Sequence, residues 1–233
     1  MNTKIISTAI GILAIVALAW IAWPGKTTHT ASNSDSTAGS SEATNIDIID
    51  INDDNHEKGA TMSGKPLVIY FSRADENYEV GTVDVGNTAL LAKVAIDQLG
   101  ADSFEIKPVT PYPAVYDEAI EQATAERNAG ARPDYIGDVD ISGYDTIFFG
   151  YPIWWGDLPM IVYNFVEDHD WSGKIVIPFN THEGSGNAGT YQTLGSIMTG
   201  ATLRGDGFNL AGHVARTSEG QARMKTWLTG LGY

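Results

Sequence analysis

Pro66-Leu67-Val68-Ile69-Tyr70-Phe71 is an apolar run with no polar residue between its members. A strand with one wet face alternates apolar and polar side chains, so a run without alternation belongs to a strand covered on both faces. The pattern recurs along the chain. Ser103 to Ile106, Thr146 to Gly150 and Lys174 to Phe179 read as further strands, and a fifth lies within Ala201 to Leu210. Helical segments stand between them. From Asn87, the residues Leu90, Leu91, Val94, Ala95 and Leu99 recur at helical spacing, and Gly100 stops the helix. Tyr116 to Ala129 is helical and ends at Gly130, and Asp157 is placed to cap a helix with Pro159 in its first turn, running to Glu167. A fourth helix is expected from Gly189 to Met198. Ser218-x-x-Gln221 reads as a capping box for the last, with Trp227 and Leu228 turned inward. Five β/α repeats in one domain, residues 65–233, predict an α/β fold with a doubly wound, five-stranded parallel sheet and right-handed crossovers.

The first 64 residues do not share this pattern. Ile5 to Trp23 is apolar but for Ser7, Thr8 and a glycine, with Lys4 before it and Pro24-Gly25-Lys26 after. Its nineteen residues, at ~1.5 Å rise each, match the hydrocarbon core of a bilayer. Residues 1–25 are therefore read as a signal anchor, a transmembrane helix that places the domain outside the cytoplasm. The alternative is a cleaved signal and a secreted domain, for which Ala17-Leu18-Ala19 is a weak small-x-small match inside the run. Residues 26–64 are rich in Ser, Thr, Asn, Asp and Glu and read as a flexible polar linker, although Ile46, Ile48, Ile49 and Ile51 alternate with acids as a short strand would.

Charge narrows the partners. The net charge is −15, and residues 65–233 hold 11 basic against 22 acidic side chains. Nucleic acid and anionic lipid surfaces demand Lys and Arg, so an acidic domain argues against them as partners and allows steering toward a basic one. The chain has no cysteine, which rules out disulfides, thiolate chemistry and thiolate metal sites.

Ligands in open α/β sheets sit outside the carboxyl ends of the strands, so the loops there carry the chemistry. After the third strand comes Gly150-Tyr151-Pro152-Ile153-Trp154-Trp155-Gly156, with two large flat aromatics. After the fourth comes Thr181-His182-Glu183-Gly184-Ser185-Gly186, with glycines for close backbone approach beside hydroxyl and imidazole groups. Such a pair suits a planar ring with polar edges, a flavin above all. The first strand leads through Ser72-Arg73 to Gly86-Asn87-Thr88 at a helix start, a natural anion site. Asp75, Glu76, Glu79 and Asp84 in the excursion between would repel a phosphate and are placed outward.

Tyr70-Phe71-Ser72-Arg73, Gly86-Asn87-Thr88 and the two strand-end loops, in this order, resemble the flavodoxin-like family, in particular a bacterial branch with an expanded phosphate loop reading Ser-Arg-x-Gly-Glu-Asn-Tyr. The resemblance implies five parallel strands in the order 2-1-3-4-5 and flavin mononucleotide (FMN) bound noncovalently. It implies that Ser72, Arg73, Asn87 and Thr88 hold the 5′-phosphate, and that Pro152, Ile153, Trp154, Trp155 and Gly156 flank the ribityl chain and ring. One indole would stack on the ring while the other turns inward. Thr181, His182, Glu183, Gly184, Ser185 and Gly186 would meet the pyrimidine edge. The chain departs from the family at Asp75, where glycine is usual, and at Glu183, where glycine is common. A carboxylate at Glu183 disfavours extra negative charge on the reduced ring and predicts a strongly reducing second step.

The function implied is electron transfer between redox partner proteins. An FMN-dependent oxidoreductase passing electrons from a nicotinamide nucleotide to a small acceptor such as a quinone is the alternative, and a flavin-free interaction module on a membrane tether is the third. Gly184-Ser185-Gly186-Asn187-Ala188-Gly189 matches a dinucleotide fingerprint, but Thr181 to Glu183 intervene after the strand and too little chain follows. Thr199-Gly200-Ala201-Thr202 resembles a motif for covalent flavin attachment and lacks the usual upstream Asp. His169 and His213 are read as surface residues.

Overall fold

The computed structural model describes residues 64–205 and 207–233. The expected membrane anchor and polar linker, and with them Ile46 to Ile51, lie outside the described residues. Strand β1 (Leu67–Phe71) leads into a two-stranded antiparallel hairpin, β2 (Asp75–Asn77) and β3 (Gly81–Val83), then α1 (Asn87–Leu99). There follow β4 (Asp102–Ile106), α2 (Tyr116–Ala129), β5 (Thr146–Pro152), α3 (Met160–Glu167), β6 (Ile175–His182) and α4 (Thr190–Ile197). The chain ends with β7 (Thr202–Leu203), β8 (Phe208–Ala211), the single turn α5 (Gly212–Ala215) and α6 (Ser218–Gly230).

The main sheet is parallel throughout, in the order β4-β1-β5-β6-β7, with β8 also on β6. Counting only the sheet's own strands, this is the expected 2-1-3-4-5 arrangement with its fifth strand in two pieces. β7 pairs with Ile175 and Val176, while β8 pairs with Phe179 to His182 further along. The first strand's neighbours are reached in opposite directions, so a crevice opens between the carboxyl ends of β1 and β5.

Alternate side chains feed two cores. Leu67, Ile69, Phe71, Ile147, Phe149 and Tyr151 pack with Ile161, Val162 and Phe165 of α3 and Leu194 of α4. Val68, Phe148, Ile177 and Phe179 pack with Leu91 and Val94 of α1 and Met224 and Leu228 of α6. Burying each such side chain contributes about 1.5–3 kcal/mol, so the two layers dominate stability. Gly150 has no side chain because Phe179 occupies its space: a Cβ there would lie 2.2 Å from the ring.

Several local expectations shift. The last helix is capped by Thr217, whose Oγ1 accepts from Gly220 N at 3.0 Å, so the capping box at Ser218 begins one residue late. Leu228 is buried and Trp227 only partly. Pro159 stands at the N-cap of α3, and Asp157 accepts instead from Leu158 N and the Tyr163 hydroxyl. His169 is not a surface residue: its side chain is 7% exposed, its Nδ1 meets Phe165 O and its Nε2 meets Asp138. Among the described residues, no helix is long and apolar enough to cross a membrane.

Candidate functional site

Three loops meet at the carboxyl ends of β1, β5 and β6, and two adjoining depressions of about 240 and 150 Å³ open among them. The larger is lined by Asn77, Tyr78, Asn87, Tyr116, Pro152 to Gly156, Thr181 to Glu183 and Ser185. The smaller lies against α2 and contains Arg73, and both are bordered by Ile153, Trp154 and Trp155.

The two indoles divide as expected, and backbone geometry decides which goes where. Trp154 and Asp157 exchange two backbone hydrogen bonds of 3.0 and 2.9 Å, which leaves Trp155 and Gly156 as the central pair of a tight turn. Their φ values are +54° and +71°. Positive φ at both central positions is the demand of a type I′ turn, usually met by Asn-Gly or Gly-Gly. A tryptophan there costs about 1–2 kcal/mol. The turn drives Trp154 inward, edge-on to Phe71 and Tyr112 at 5.4 and 4.9 Å, and leaves Trp155 at the rim, 52% exposed.

At the other end of the slot, α1 begins on Gly86 with no side-chain cap and no acid in its first turn, so the amides of Asn87 and Thr88 face outward uncapped. A Cβ on Gly86 would meet Arg73 O and Ser72 Oγ at 2.3 Å, so only glycine lets the helix start press against the loop from β1. Ser72 Oγ accepts from Ala89 N at 3.0 Å and keeps its own proton to donate. Thr88 and Thr181, assigned from sequence to the phosphate and the pyrimidine edge, are both buried and joined hydroxyl to hydroxyl at 2.7 Å. Their side chains tie α1 to β6; Thr88 keeps its uncapped amide, while Thr181 O accepts from Ile153 N at 2.8 Å.

Arg73 also departs from its expected place. Its Nη1 donates to Glu76 O at 2.5 Å and its Nη2 to the carbonyls of Pro113 and Ala114. The guanidinium thus straps the hairpin to the start of α2, and burial pulls its pKa below the ordinary value. Asn77 works alongside, its Nδ2 reaching the carbonyls of Arg73, Ala74 and Asp75. Asp75 has φ +64°, the conformation for which the family's glycine is suited. Asp75, Glu76, Glu79 and Asp84 are exposed as expected. Tyr78, on the hairpin, stacks on Tyr116 at 5.9 Å and borders the slot 54% exposed. Asn77, Tyr78 and Tyr116 were absent from the residues expected at the site. The Asn-Tyr pair of the phosphate-loop pattern was the available signal for the first two.

The loop after β6 turns on Gly184 and Gly186, at φ +101° and +62°, with Ser185 between them at the slot. His182 accepts from Gly184 N at its Nδ1 and has a side-chain bond with Asn209. Burial holds its pKa below the ordinary 6.5, so the ring is neutral at pH 7. The Glu183 carboxylate does not stand free beside the slot. His213 N donates to its Oε1 at 2.9 Å and His213 Nδ1 lies 2.6 Å from its Oε2. His213 is exposed but engaged. Thr202, in β7, pairs with Ile175 at the opposite end of β6 from His182. Seven residues of strand at ~3.3 Å each put it about 23 Å from the slot, so covalent attachment there does not serve this site.

Uncapped amides and hydroxyls at one end, flat aromatic faces in the middle and a glycine-turned loop at the other define a nucleotide-binding α/β protein of the doubly wound class. Residues 65–229 match the flavodoxin family model, and the chain belongs to the flavodoxin family. It is similar in structure to a candidate flavoprotein from Bacteroides eggerthii, with a TM-score of 0.57 and 28% identity over 72% of this chain and 98% of that one. A second candidate flavoprotein, from Bacteroides uniformis, gives a TM-score of 0.57 and 29% identity over 71% and 98%. No curated protein matches in sequence. Family membership makes FMN the cofactor, and the donors and aromatic faces just described fit it.

Proposed function

We propose that this protein is an FMN-dependent electron carrier that docks on redox partner proteins while residues 5–23 hold it at a membrane, its domain outside the cytoplasm. Bound in the slot, FMN supplies a redox centre that exchanges electrons singly. The amides of Asn87 and Thr88 and the Ser72 hydroxyl would hold its phosphate, Trp155 and Tyr78 would flank its ring, and the Gly184–Gly186 loop would meet its pyrimidine edge. The observation that carries the reading is the half-exposed Trp155 indole, kept beside the slot by a strained turn. Strain of this kind persists where function needs it.

A carrier is favoured over a hydride-transferring enzyme by His182, the imidazole that lines the slot. Gly184 N and Asn209 already occupy it, and a neutral, fully bonded ring has no proton to offer a quinone. Full-length apoprotein in detergent should quench FMN fluorescence on titration and then show no steady-state reduction of quinones by NADPH or NADH. Sustained turnover would move the assignment to an oxidoreductase, and absence of flavin binding would end both readings. Membrane attachment is checked separately: the protein should fractionate with membranes, and deletion of residues 5–23 should release it.

A further inference from the structure

The phosphate end of the slot needs positive charge, and the arginine that the sequence offers is turned away. Arg73 directs its guanidinium at the carbonyls of Glu76, Pro113 and Ala114 and borders the smaller depression against α2. Arg216 arrives from the far end of the chain, at the C-cap of α5. Its Nη1 donates to Val85 O at 2.8 Å and to Asn87 Oδ1 at 3.1 Å, which brackets Gly86 at the N-cap of α1. We infer that Arg216, not Arg73, is the cation that selects a phosphorylated flavin, by orienting Asn87 and charging the mouth of α1. This rests on the FMN reading above.

The chemistry follows from the donor inventory. A guanidinium only donates, so the Asn87 atom it meets is the oxygen, and the Asn87 amide nitrogen lies against Gly212 of α5. Two uncapped backbone amides and a nearby fixed charge then meet where an anion is favoured by the helix dipole. α5 can bring the arginine this close because Gly212 has no side chain: a Cβ there would lie 2.2 Å from Asn87 Nδ2 and 2.7 Å from Glu183 Oε1. The same short turn carries His213, which pins Glu183. One turn thus braces both the phosphate end and the ring end of the slot.

The test compares FMN with riboflavin, which lacks only the phosphate, on full-length apoprotein. Arg216→Met should lower FMN affinity about tenfold or more while riboflavin affinity stays near wild type, and should flatten the salt dependence of FMN binding. Arg216→Lys should restore part of the preference, which a purely structural role would not predict. Arg73→Met should weaken both flavins together by loosening the hairpin. An Arg216→Met protein that keeps the wild-type FMN-to-riboflavin ratio, with the ratio lost in Arg73→Met instead, overturns the inference. Wild-type protein that binds both flavins equally overturns it too and leaves flavin binding itself standing, whereas wild-type protein that binds neither defeats the underlying FMN reading. Thermal unfolding of each apoprotein separates lost binding from lost fold.

Discussion

Ahead of β5 and again ahead of β6, at the N-terminal edge of the sheet, the chain turns in the same way. Asp140 Oδ1 accepts from Ser142 N at 2.8 Å, and Asp170 Oδ1 accepts from Ser172 N at 2.9 Å. The serine hydroxyl and amide hold each carboxyl below its ordinary range. Trp171, 2% exposed, anchors this edge and donates from Nε1 to Val166 O at 2.8 Å. The C-terminal edge of the same strands is made differently. Asp75, Glu79, Trp155 and Ala188, the four non-glycine residues with positive φ among those described, all lie in the connections that follow β1, β5 and β6. Relaxed, self-satisfied turns close one edge and strained turns open the other. The lesson is that conformational strain marks where this fold spends stability on a site.

Substitutions at the two edges should therefore separate stability from binding. The largest effect belongs to the relaxed edge: Trp171→Ala should cost about 3–5 kcal/mol in denaturant unfolding, with flavin affinity of the folded protein little changed. A large loss of affinity instead would break the comparison. On the strained edge, Gly86→Ala should lower FMN affinity at least about tenfold, because its methyl pushes α1 off the Ser72 loop. Equilibrium titration would measure it, and unchanged binding would mean the helix mouth is not used.

Trp155→Gly should have a smaller effect, and one confined to binding. Removing the indole should weaken FMN binding severalfold, while apoprotein stability stays within about 1 kcal/mol of wild type because turn strain is relieved as chain entropy rises. A marked fall in stability would show the turn to be relaxed after all. The smallest effect is set by pH. Burial keeps the folded His182 below its ordinary value, so the unfolded chain takes up the proton first. Stability from this group is full above about pH 6.5 and declines as pH falls below it toward the folded value. His182→Asn should flatten that decline between about pH 7 and pH 5.5 in thermal melts, and an unaltered slope would assign it to another group.

Much of the fold was legible in the residues themselves. Apolar runs without alternation announced strands covered on both faces, and Gly100 and Gly130 marked helix ends where they stand in αL conformation. The fifth strand was harder, because its two pieces are defined only by where β6 accepts them. The hairpin at 75–83 was hidden by its acids, which read as an excursion. In the slot, the glycine and tryptophan loops were visible because their chemistry is local. The partners of Arg73 and the arrivals of His213 and Arg216 were not, since each joins segments from about 30 to more than 120 residues apart.

The sequence alone determined the main strands and helices, their parallel arrangement and the loops that gather at one edge, since periodicity, caps and turn residues act over a few neighbours. Only the tertiary structure decided which indole faces out, which arginine is occupied and which carboxylate is already paired. Those outcomes depend on where distant donors and acceptors come to rest, and a hydrogen bond once made inside the fold is no longer available to a ligand.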